Sequence, residues 1–219
     1  MVKVTKAIVL LSGGLDSAVA LAFMELQAEP VKVEALTVDY GQRHAKEIDA
    51  ACAIADFYDT PHRVVEVDPI LFGGCALTGR GELPLGAATE PDATYVPARN
   101  TVLIALAAAR AEALGYGNVV IGCNTDDAAA YPDCRMSYLA AMNDALHLGT
   151  ASKISVYAPL LGHTKRGILR LAMNMGVPVG LTWSCYMGGS KPCKKCGACV
   201  TRYGEQDDNN DVLARPDHP

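Results

Sequence analysis

The chain has 219 residues, 50% of them hydrophobic and 20% charged, a balance that excludes a disordered chain, a collagen and a coiled coil. The formal net charge is −5, but five acidic residues and one arginine fall after residue 204. The rest is nearly neutral and shows no broad nucleic-acid-binding face. The longest apolar run, near residues 102–109, is far shorter than a membrane span, and the apolar stretch at 7–11 is too short for a secretory signal. We therefore expect a soluble, cytoplasmic protein with no membrane partner.

Strands and helices are predicted to alternate along the chain. Apolar runs predict strands at 7–11, 33–39, 62–67, 118–122 and 154–157, and helical periodicity predicts helices at 15–27, 44–58, 100–114, 136–148 and 164–175. This alternation is typical of a parallel sheet with helices on both faces, so the predicted fold class is α/β and Rossmann-like. Residues 69–97 and 123–134 are predicted loops; the first is rich in glycine and proline and is either a lid or binding loop or a disordered insertion.

The first predicted strand leads directly into Ser12-Gly13-Gly14-Leu15-Asp16-Ser17 and then a helix. Two glycines allow a tight turn and a close backbone approach to a ligand, and the unpaired N–H groups of a helix N-terminus suit a phosphate. The alternative is a plain turn in which Asp16 or Ser17 caps the helix. The P-loop lysine motif and the dinucleotide G-x-G-x-x-G motif are both absent. An aspartate in an anion site needs Mg²⁺ to join it to phosphates, a combination that suits a leaving pyrophosphate.

Four of the eight cysteines fall close together, at Cys185, Cys193, Cys196 and Cys199. Intracellular thiols stay reduced, so this spacing indicates a metal site rather than disulfides. Four thiolates suit a tetrahedral, structural Zn²⁺. An iron–sulfur cluster and redox-active thiols are the alternatives, although the Cys-Pro that ends the bacterial iron–sulfur signature is missing. The scattered cysteines are predicted to act as small hydrophobic residues.

Placed after an N-terminal strand, Ser-Gly-Gly-x-Asp-Ser resembles the PP-loop ATP pyrophosphatase superfamily. The resemblance implies an adenine nucleotide alpha hydrolase-like sheet that binds ATP at the carboxyl ends of its strands and releases pyrophosphate. It assigns ATP binding to Leu11, Ser12, Gly13, Gly14, Leu15, Asp16, Ser17, Ala18 and Val19. The predicted organisation is an ATP-binding domain at 1–180, a zinc-binding segment at 181–204 and a polar, disordered tail at 205–219.

Further motifs narrow the resemblance. They are Asp39-Tyr40-Gly41-Gln42-Arg43-His44, then Tyr95-Val96-Pro97-Ala98-Arg99-Asn100, then Asp126-Asp127 ahead of Tyr131-Pro132-Asp133-Cys134-Arg135, and finally Cys185-Tyr186 with the later cysteines. In this order they resemble the 7-cyano-7-deazaguanine synthases, the ExsB family of queuosine biosynthesis, over residues 6–203. The family implies a ligase that takes 7-carboxy-7-deazaguanine, ATP and ammonia through an amide to a nitrile by two adenylations, releasing AMP and pyrophosphate.

The resemblance places the catalytic groups at Asp16, Arg43, Arg99 and Lys165. Each arginine is a planar fork that suits a carboxylate or phosphate, with a surface ion pair as the alternative. Substrate binding is assigned to Tyr40, Gln42, His44, Asn100, Asp126, Asp127, Tyr131, Asp133 and Arg135. The aspartates can accept hydrogen bonds from the N–H groups of a guanine-like edge; the alternative is that they are turn and cap residues. The tyrosines can stack on a purine; the alternative is that they pack in the core.

Two departures from the family pattern concern the substrate pocket. Ala98 stands where the family has glycine in its V-P-G-R-N motif, and Ala129-Ala130 stands where it has Ser-Gly. These departures leave open a related enzyme that stops at the amide. Two further alternatives are independent of them: a PP-loop tRNA-modifying enzyme of the thiolase kind and a nucleotide-binding protein without activity. With no glutaminase domain in these residues, we expect free ammonium as the nitrogen source, and a homodimer is the default assembly.

Overall fold

Five parallel strands form one sheet in the order β3-β2-β1-β4-β5. The computed structural model of the chain describes residues 4–42, 45–73, 77 and 94–203. The strands are β1 Lys6–Leu10, β2 Lys32–Asp39, β3 His62–Glu66, β4 Asn118–Val120 and β5 Ser155–Tyr157. The predicted α/β class is confirmed, and each predicted strand forms within two residues of its expected ends.

Helices flank the sheet on both sides. In the described part of the chain they are α1 Leu15–Glu25, α2 Ala45–Phe57, α3 Arg99–Ala113, α4 Thr125–Ala130, α5 Met136–Gly149, α6 Lys165–Asn174 and α7 Gly197–Tyr203. The five predicted helices correspond to α1, α2, α3, α5 and α6. The loop predicted at 123–134 is wrong, because α4 and a 3-10 turn at Pro132–Cys134 form there. Helix α7, which carries Cys199, was also not predicted.

The start of α4 explains why the 123–134 prediction failed. The Asn124 side chain accepts a hydrogen bond from the Asp127 backbone N–H at 2.9 Å and so caps the helix. Asp126 and Asp127 occupy its first turn, where a negative charge is favourable. A helix of six residues with an N-cap asparagine carries too little periodicity to be separated from a loop by apolar pattern alone.

The central strand β1 separates two hydrophobic cores. Ala7 and Val9 face the core formed with α1, α2 and α6, whereas Ile8 and Leu10 face the core formed with α3 and α5. Burial of a side chain the size of valine or isoleucine stabilises the fold by about 1.5–3 kcal/mol, and a one-residue slip of β1 would exchange the two faces. The burial pattern therefore fixes the register of β1, and with it the position at which the next loop begins.

The strand order reverses between β1 and β4. β2 and β3 lie on one side of β1, and β4 and β5 lie on the other. Ligands of such sheets bind at the carboxyl ends of the strands where the order reverses. The motifs that follow β1, β2 and β4 therefore meet at one edge of the sheet.

Some predicted features lie outside the described residues: Arg43, His44, the greater part of the 69–97 loop and the tail. The start of that loop is a 3-10 helix at Pro69–Phe72, which the Asp68 side chain caps by accepting the Ile70 N–H at 2.9 Å. Among the residues that the structure describes, no helix combines the length and apolar character needed to cross a membrane.

Candidate active site

A deep cleft opens at the carboxyl ends of the strands. Its volume of about 1140 Å³ exceeds the roughly 300–1000 Å³ of an ordinary small-molecule pocket, so it has room for two ligands. The predicted site residues that line it are Leu11, Ser12, Gly14, Leu15, Asp16, Ser17, Tyr40, Gln42, Arg99, Asn100, Asp126, Asp127, Tyr131, Asp133 and Lys165.

Of the predicted ATP- and substrate-binding residues that the structure describes, four do not line the cleft: Gly13, Ala18, Val19 and Arg135. Ala18 and Val19 are fully buried in the hydrophobic core, so their side chains hold α1 against the sheet. Arg135 is exposed, donates from Nε to the Ala128 carbonyl at 3.3 Å, and borders a separate surface pocket.

Hydroxyl groups shape the loop between β1 and α1, which we call the phosphate loop (residues 12–17). Ser17 Oγ accepts the Ser12 N–H at 3.1 Å and donates to the Gly14 carbonyl at 3.0 Å. Gly14 is the N-cap of α1, and no side chain caps this helix. The alternative in which Asp16 or Ser17 caps the helix is therefore wrong. The uncapped N-terminus and its dipole favour an anion in the cleft.

Two glycines permit the close packing around this loop. Gly13 has a φ of +83°, and a β-carbon there would lie 2.1 Å from the Glu47 carbonyl oxygen. At Gly122, a β-carbon would lie 3.1 Å from the Ser17 nitrogen. A side chain at either position would displace neighbouring backbone. The backbone of α2 and the segment after β4 therefore pack directly against the phosphate loop.

A cluster of carboxylates around one lysine lies beside the loop. Lys165 Nζ donates to Asp16 Oδ2 at 2.5 Å and to Asp127 Oδ2 at 3.1 Å. Asn124 Nδ2 donates to the same two oxygens, at 3.2 and 2.7 Å. The Lys165 backbone N–H, at the start of α6, donates to Asp126 Oδ2 at 2.7 Å. Two carboxylates from two elements thus converge on the Lys165 ammonium, and a third, Asp126, binds the backbone of the same residue.

The charged groups of this cluster shift the pKa values of their neighbours. Burial raises the pKa of Asp16, and the attraction of Lys165 offsets only part of that rise. Burial alone would lower the pKa of Lys165, but Asp16 and Asp127 outweigh it and raise the pKa. The lysine therefore stays charged at neutral pH.

Arg99 lies on the opposite wall, at the first position of α3. The residue before it, Ala98, has a left-handed backbone with φ 51° and ψ 24°. Arg99 hydrogen-bonds to the Tyr40 side chain. Burial alone would lower the pKa of the guanidinium, but Tyr40, Asp133 and Cys134 outweigh burial, so the net shift of the pKa is upward. A permanently charged fork is therefore held in the cleft.

Asn100 and Asp133 join the start of α3 to the 3-10 turn at Pro132–Cys134. Asp133 Oδ2 accepts the Asn100 backbone N–H at 3.1 Å, and Asn100 Nδ2 donates to the Asp133 carbonyl at 3.3 Å and to Cys134 Sγ at 3.3 Å. Both polar side chains are buried. They have a clear structural role as well as a position on the cleft wall.

The two candidate tyrosines differ in their surroundings. Tyr40 is buried and packs edge-on against Phe72, with ring centroids 5.3 Å apart. Tyr131 is half-buried, lies nearly parallel to Tyr95 at 6.5 Å, and shares a hydrogen bond of 2.8 Å with Thr94 Oγ1. Tyr131 is thus the better placed of the two to stack on a planar ligand.

Two cleft residues that the sequence analysis missed are Glu47 and Trp183, and a third, Tyr186, appeared there only within a motif and without a role. Burial raises the pKa of Glu47 to about 7, and Arg99 partly opposes this. Glu47 falls three residues after the Asp39–His44 motif, a helical spacing that could have indicated it. Trp183 is the only tryptophan of the chain and stands two positions before Cys185, which could have marked it as part of the same wall.

The four clustered cysteines form a compact cage. Their Sγ atoms all lie within 4.8 Å of one another, and Cys193 Sγ is 3.9 Å from Cys199 Sγ. A tetrahedral ion with metal–sulfur bonds of about 2.3 Å would place the sulfurs roughly 3.8 Å apart. The donor set and its spacing therefore fit one metal ion.

Backbone N–H groups point at the cage sulfurs. Cys193 Sγ accepts N–H groups from Lys195 at 3.4 Å and Cys196 at 3.3 Å, and Cys185 Sγ accepts from Met187 at 3.4 Å and Cys193 at 3.3 Å. Burial raises the pKa of the Cys193 thiol, but these N–H donors outweigh it and lower the pKa to about 6. The N–H donors thus favour the thiolate, which is the form that binds metals, at Cys193, whereas burial raises the pKa of Cys196 and Cys199.

Comparison with proteins of known sequence and structure agrees with this geometry. The chain is 43% identical to a 7-cyano-7-deazaguanine synthase of Thermoplasma acidophilum, over 90% of this chain and 85% of the relative. It is 40% identical to one of Alteromonas mediterranea, over 92% and 94%. A 4-thiouridine synthetase crystallised with RNA and ATP matches with a TM-score of 0.53 at 20% identity, over 86% of this chain and 44% of that one; this likeness concerns the fold alone.

The family model described as queuosine biosynthesis protein QueC matches residues 6–206. The match covers all the described elements, including the phosphate loop, the carboxylate cluster and the cysteine cage. The chain therefore belongs to the QueC family of queuosine biosynthesis proteins.

Proposed function

We propose that the chain is a 7-cyano-7-deazaguanine synthase, a ligase that uses ATP and ammonia to convert the carboxylate of 7-carboxy-7-deazaguanine into a nitrile. The observation that carries the proposal is the single cleft in which an uncapped helix N-terminus, a carboxylate–lysine cluster and a charged arginine face the same space. A two-substrate adenylation needs these features together.

ATP binds with its phosphates at the phosphate loop. The N-terminus of α1 and the hydroxyls of Ser12 and Ser17 supply donors to the phosphates, and the ammonium of Lys165 balances their charge. Asp16 and Asp127 would hold a Mg²⁺, an ion that proteins bind through one or two carboxylates together with substrate phosphates. When bound, that ion withdraws charge from the leaving pyrophosphate.

The deazaguanine substrate binds on the Arg99 wall. Arg99 orients the substrate carboxylate, while Tyr131 stacks on the ring and Asp133 accepts from its N–H groups. The remaining predicted contacts are Tyr40, Gln42, Arg43, His44, Asn100, Asp126 and Arg135. Of the described members of this set, Tyr40, Gln42 and Asn100 act mainly by positioning others: Gln42 Oε1, for example, accepts the Tyr40 N–H at 2.9 Å.

The chemistry proceeds in two adenylations. A carboxylate oxygen attacks the α-phosphorus of ATP and pyrophosphate leaves; ammonia then attacks the acyl carbon, AMP leaves and a proton is lost, giving the amide. The amide oxygen then attacks the α-phosphorus of a second ATP and a second pyrophosphate leaves; loss of AMP with the two remaining N–H protons gives the nitrile. Residues that orient the substrate against the α-phosphorus supply the main rate advantage by proximity.

The cysteine cage holds a structural Zn²⁺. Four thiolates leave no open coordination position, so the ion is structural; because all four ligands lie within residues 181–204, it holds the fold of that zinc-binding segment together. The close Sγ spacing favours one ion over an iron–sulfur cluster, whose cysteines must surround several metal atoms. The proposal also includes free ammonium as the nitrogen source, a cytoplasmic location and a homodimer. It includes no nucleic-acid partner.

One reaction tests it. Metal-loaded protein is mixed with Mg-ATP, an ammonium salt and 7-carboxy-7-deazaguanine, and the products are identified by mass spectrometry. We expect the nitrile with two AMP and two pyrophosphate per turnover. The amide with one AMP would place this chain among enzymes that stop halfway, and would direct attention to Ala98 and Ala130 beside the cleft. Absence of AMP would overturn the ligase, and a salt-sensitive gel shift with tRNA would then favour the tRNA-modifying alternative.

A further inference from the structure

Trp183 connects the phosphate loop to the cysteine cage. Its backbone N–H donates to the Gly13 carbonyl at 2.9 Å, and its indole Nε1–H donates to the Cys185 carbonyl at 2.9 Å. The Lys46 ammonium of α2 lies 4.6 Å from the centre of the indole ring, a distance at which a cation–π contact is attractive. One residue is thus held at once by the loop, the cage and the neighbouring helix.

The bond to Gly13 fixes the orientation of the backbone N–H of Gly14, a residue that lines the cleft. A peptide unit is planar, with its C=O and N–H pointing in opposite directions, so holding the Gly13 carbonyl fixes the direction of the Gly14 N–H. Between two glycines such a peptide would otherwise rotate easily. The Gly14 N–H has only a long bond of 3.3 Å, to Ser12 Oγ, and Gly14 lines the cleft.

A second connection runs from the cage to the same segment. Arg202 lies on α7, the helix that carries Cys199. Its Nη1 donates to the Thr182 carbonyl at 3.3 Å and to Ser184 Oγ at 3.0 Å, and its Nη2 donates to the Val179 carbonyl at 3.1 Å. The residues on both sides of Trp183 are therefore attached to the element that the metal would organise.

We propose that Trp183 is a positioning residue that couples metal occupancy of the cysteine cage to ATP affinity of the phosphate loop. The coupling rests on the proposed function insofar as ATP is the ligand of that loop. It acts through the orientation of the Gly13–Gly14 peptide, so it changes nucleotide affinity more than the rate of the chemical step. Loss of one such hydrogen-bonded connection should weaken nucleotide binding about three- to tenfold.

The experiment compares nucleotide binding in matched variants. Affinity for the fluorescent nucleotide mant-ATP with Mg²⁺ is measured for the unmodified protein, Trp183→Phe and Tyr157→Phe, all metal-loaded. The phenylalanine keeps the backbone bond to Gly13 but loses the bond to Cys185 and weakens the cation–π contact. Tyr157 packs against Phe23, 6.2 Å away between ring centroids, and controls for the loss of a polar aromatic group elsewhere.

We expect Trp183→Phe to raise the dissociation constant at least threefold, with unchanged metal content and little change in the maximal rate, whereas Tyr157→Phe leaves it unchanged. In the unmodified protein, the emission of the single tryptophan should shift both on ATP binding and on removal of metal by a chelator. Equal nucleotide affinity in Trp183→Phe and the unmodified protein overturns the coupling. Failure of the unmodified protein to bind mant-ATP at all would instead contradict the proposed function.

Discussion

The ammonium nitrogen of Lys165 lies 2.5 Å from the Asp16 carboxylate, although 149 positions separate the two residues in the chain. They meet because α1 and α6 pack in the same core on one face of the sheet, with their N-termini at the edge where the strands end. Asp126 and Asp127 bring two more carboxylates to this lysine. Three acidic groups and one ammonium leave a surplus of negative charge, which suits a divalent cation bound together with phosphates.

Asp16→Ala should abolish AMP formation while the protein stays folded. Asp16 is a partner of Lys165 and part of the proposed Mg²⁺ site, and removal of one preorganised group from such a site costs about 100–1000-fold in rate. Burial of the carboxylate is itself unfavourable, and Lys165 keeps Asp127 as a partner, so we expect the variant to fold. AMP released from Mg-ATP and 7-carboxy-7-deazaguanine is the measurement, with thermal unfolding measured in parallel.

The matched control for Asp16→Ala is an ion pair away from the cleft. Arg110 Nε lies 2.7 Å from Glu34 Oε1, and Glu34→Gln breaks this pair without touching the phosphate loop. It should lower thermal stability and leave AMP formation per folded molecule unchanged. Normal turnover in Asp16→Ala would contradict the role that we propose for Asp16.

Cys196→Ser should remove the metal ion. Cys196 is fully buried in the cage, and serine is a poor substitute for a thiolate ligand. We expect one zinc ion per chain in the unmodified protein, and none with a lower unfolding temperature in the variant; Cys52→Ser, a half-buried cysteine outside the cage, should retain the ion. Elemental analysis decides: a full complement of metal in Cys196→Ser would refute the four-cysteine site, and iron in place of zinc would favour the iron–sulfur alternative.

The parts of this site that could be predicted are those in which the signal is local. The phosphate loop is six consecutive residues between a strand and a helix, and the cysteine cage shows itself by spacing. The contact between Lys165 and Asp16 has no such signal, because only the packing of α6 beside α1 creates it. The cap of α4 was readable in principle from Asn124 and Asp127, yet six residues give too little periodicity for a helix to be recognised.

Residues that act by joining elements were the hardest to predict. Trp183 could be noticed in the sequence as a single tryptophan close to a cysteine, but its bonds to Gly13 and Cys185 depend on how the C-terminal segment folds back over the sheet. Asn100 and Asp133 were assigned to the substrate by resemblance, and the structure gives them a bonded role between two elements. A motif can therefore predict correctly which residues lie at the site without predicting the role of each residue.

Ala98→Gly should stabilise the protein. Ala98 has a φ of +51°, a left-handed conformation that costs a residue with a β-carbon about 1–2 kcal/mol. Glycine avoids that cost but gains entropy in the unfolded chain, worth roughly 0.4–1 kcal/mol, so the expected net gain is about 0.5–1 kcal/mol. The control is Ala109→Gly at an exposed position inside α3, which should destabilise by about 1 kcal/mol. Chemical denaturation measures the free energy of unfolding of both variants. A loss of stability in Ala98→Gly would contradict backbone strain at Ala98.

Glu47→Gln should make stability less dependent on pH. Burial raises the pKa of Glu47 from its ordinary 4.5 to about 7 in the folded protein, with Arg99 opposing. Between these two pH values the folded state binds the extra proton, so stability falls as pH rises from about 4.5 to 7. Glutamine carries no such proton, so its stability relative to the unmodified protein should be higher at pH 8 than at pH 5, by on the order of 2 kcal/mol. Urea denaturation at both pH values measures this. An equal difference between Glu47→Gln and the unmodified protein at both pH values would contradict the raised pKa of Glu47.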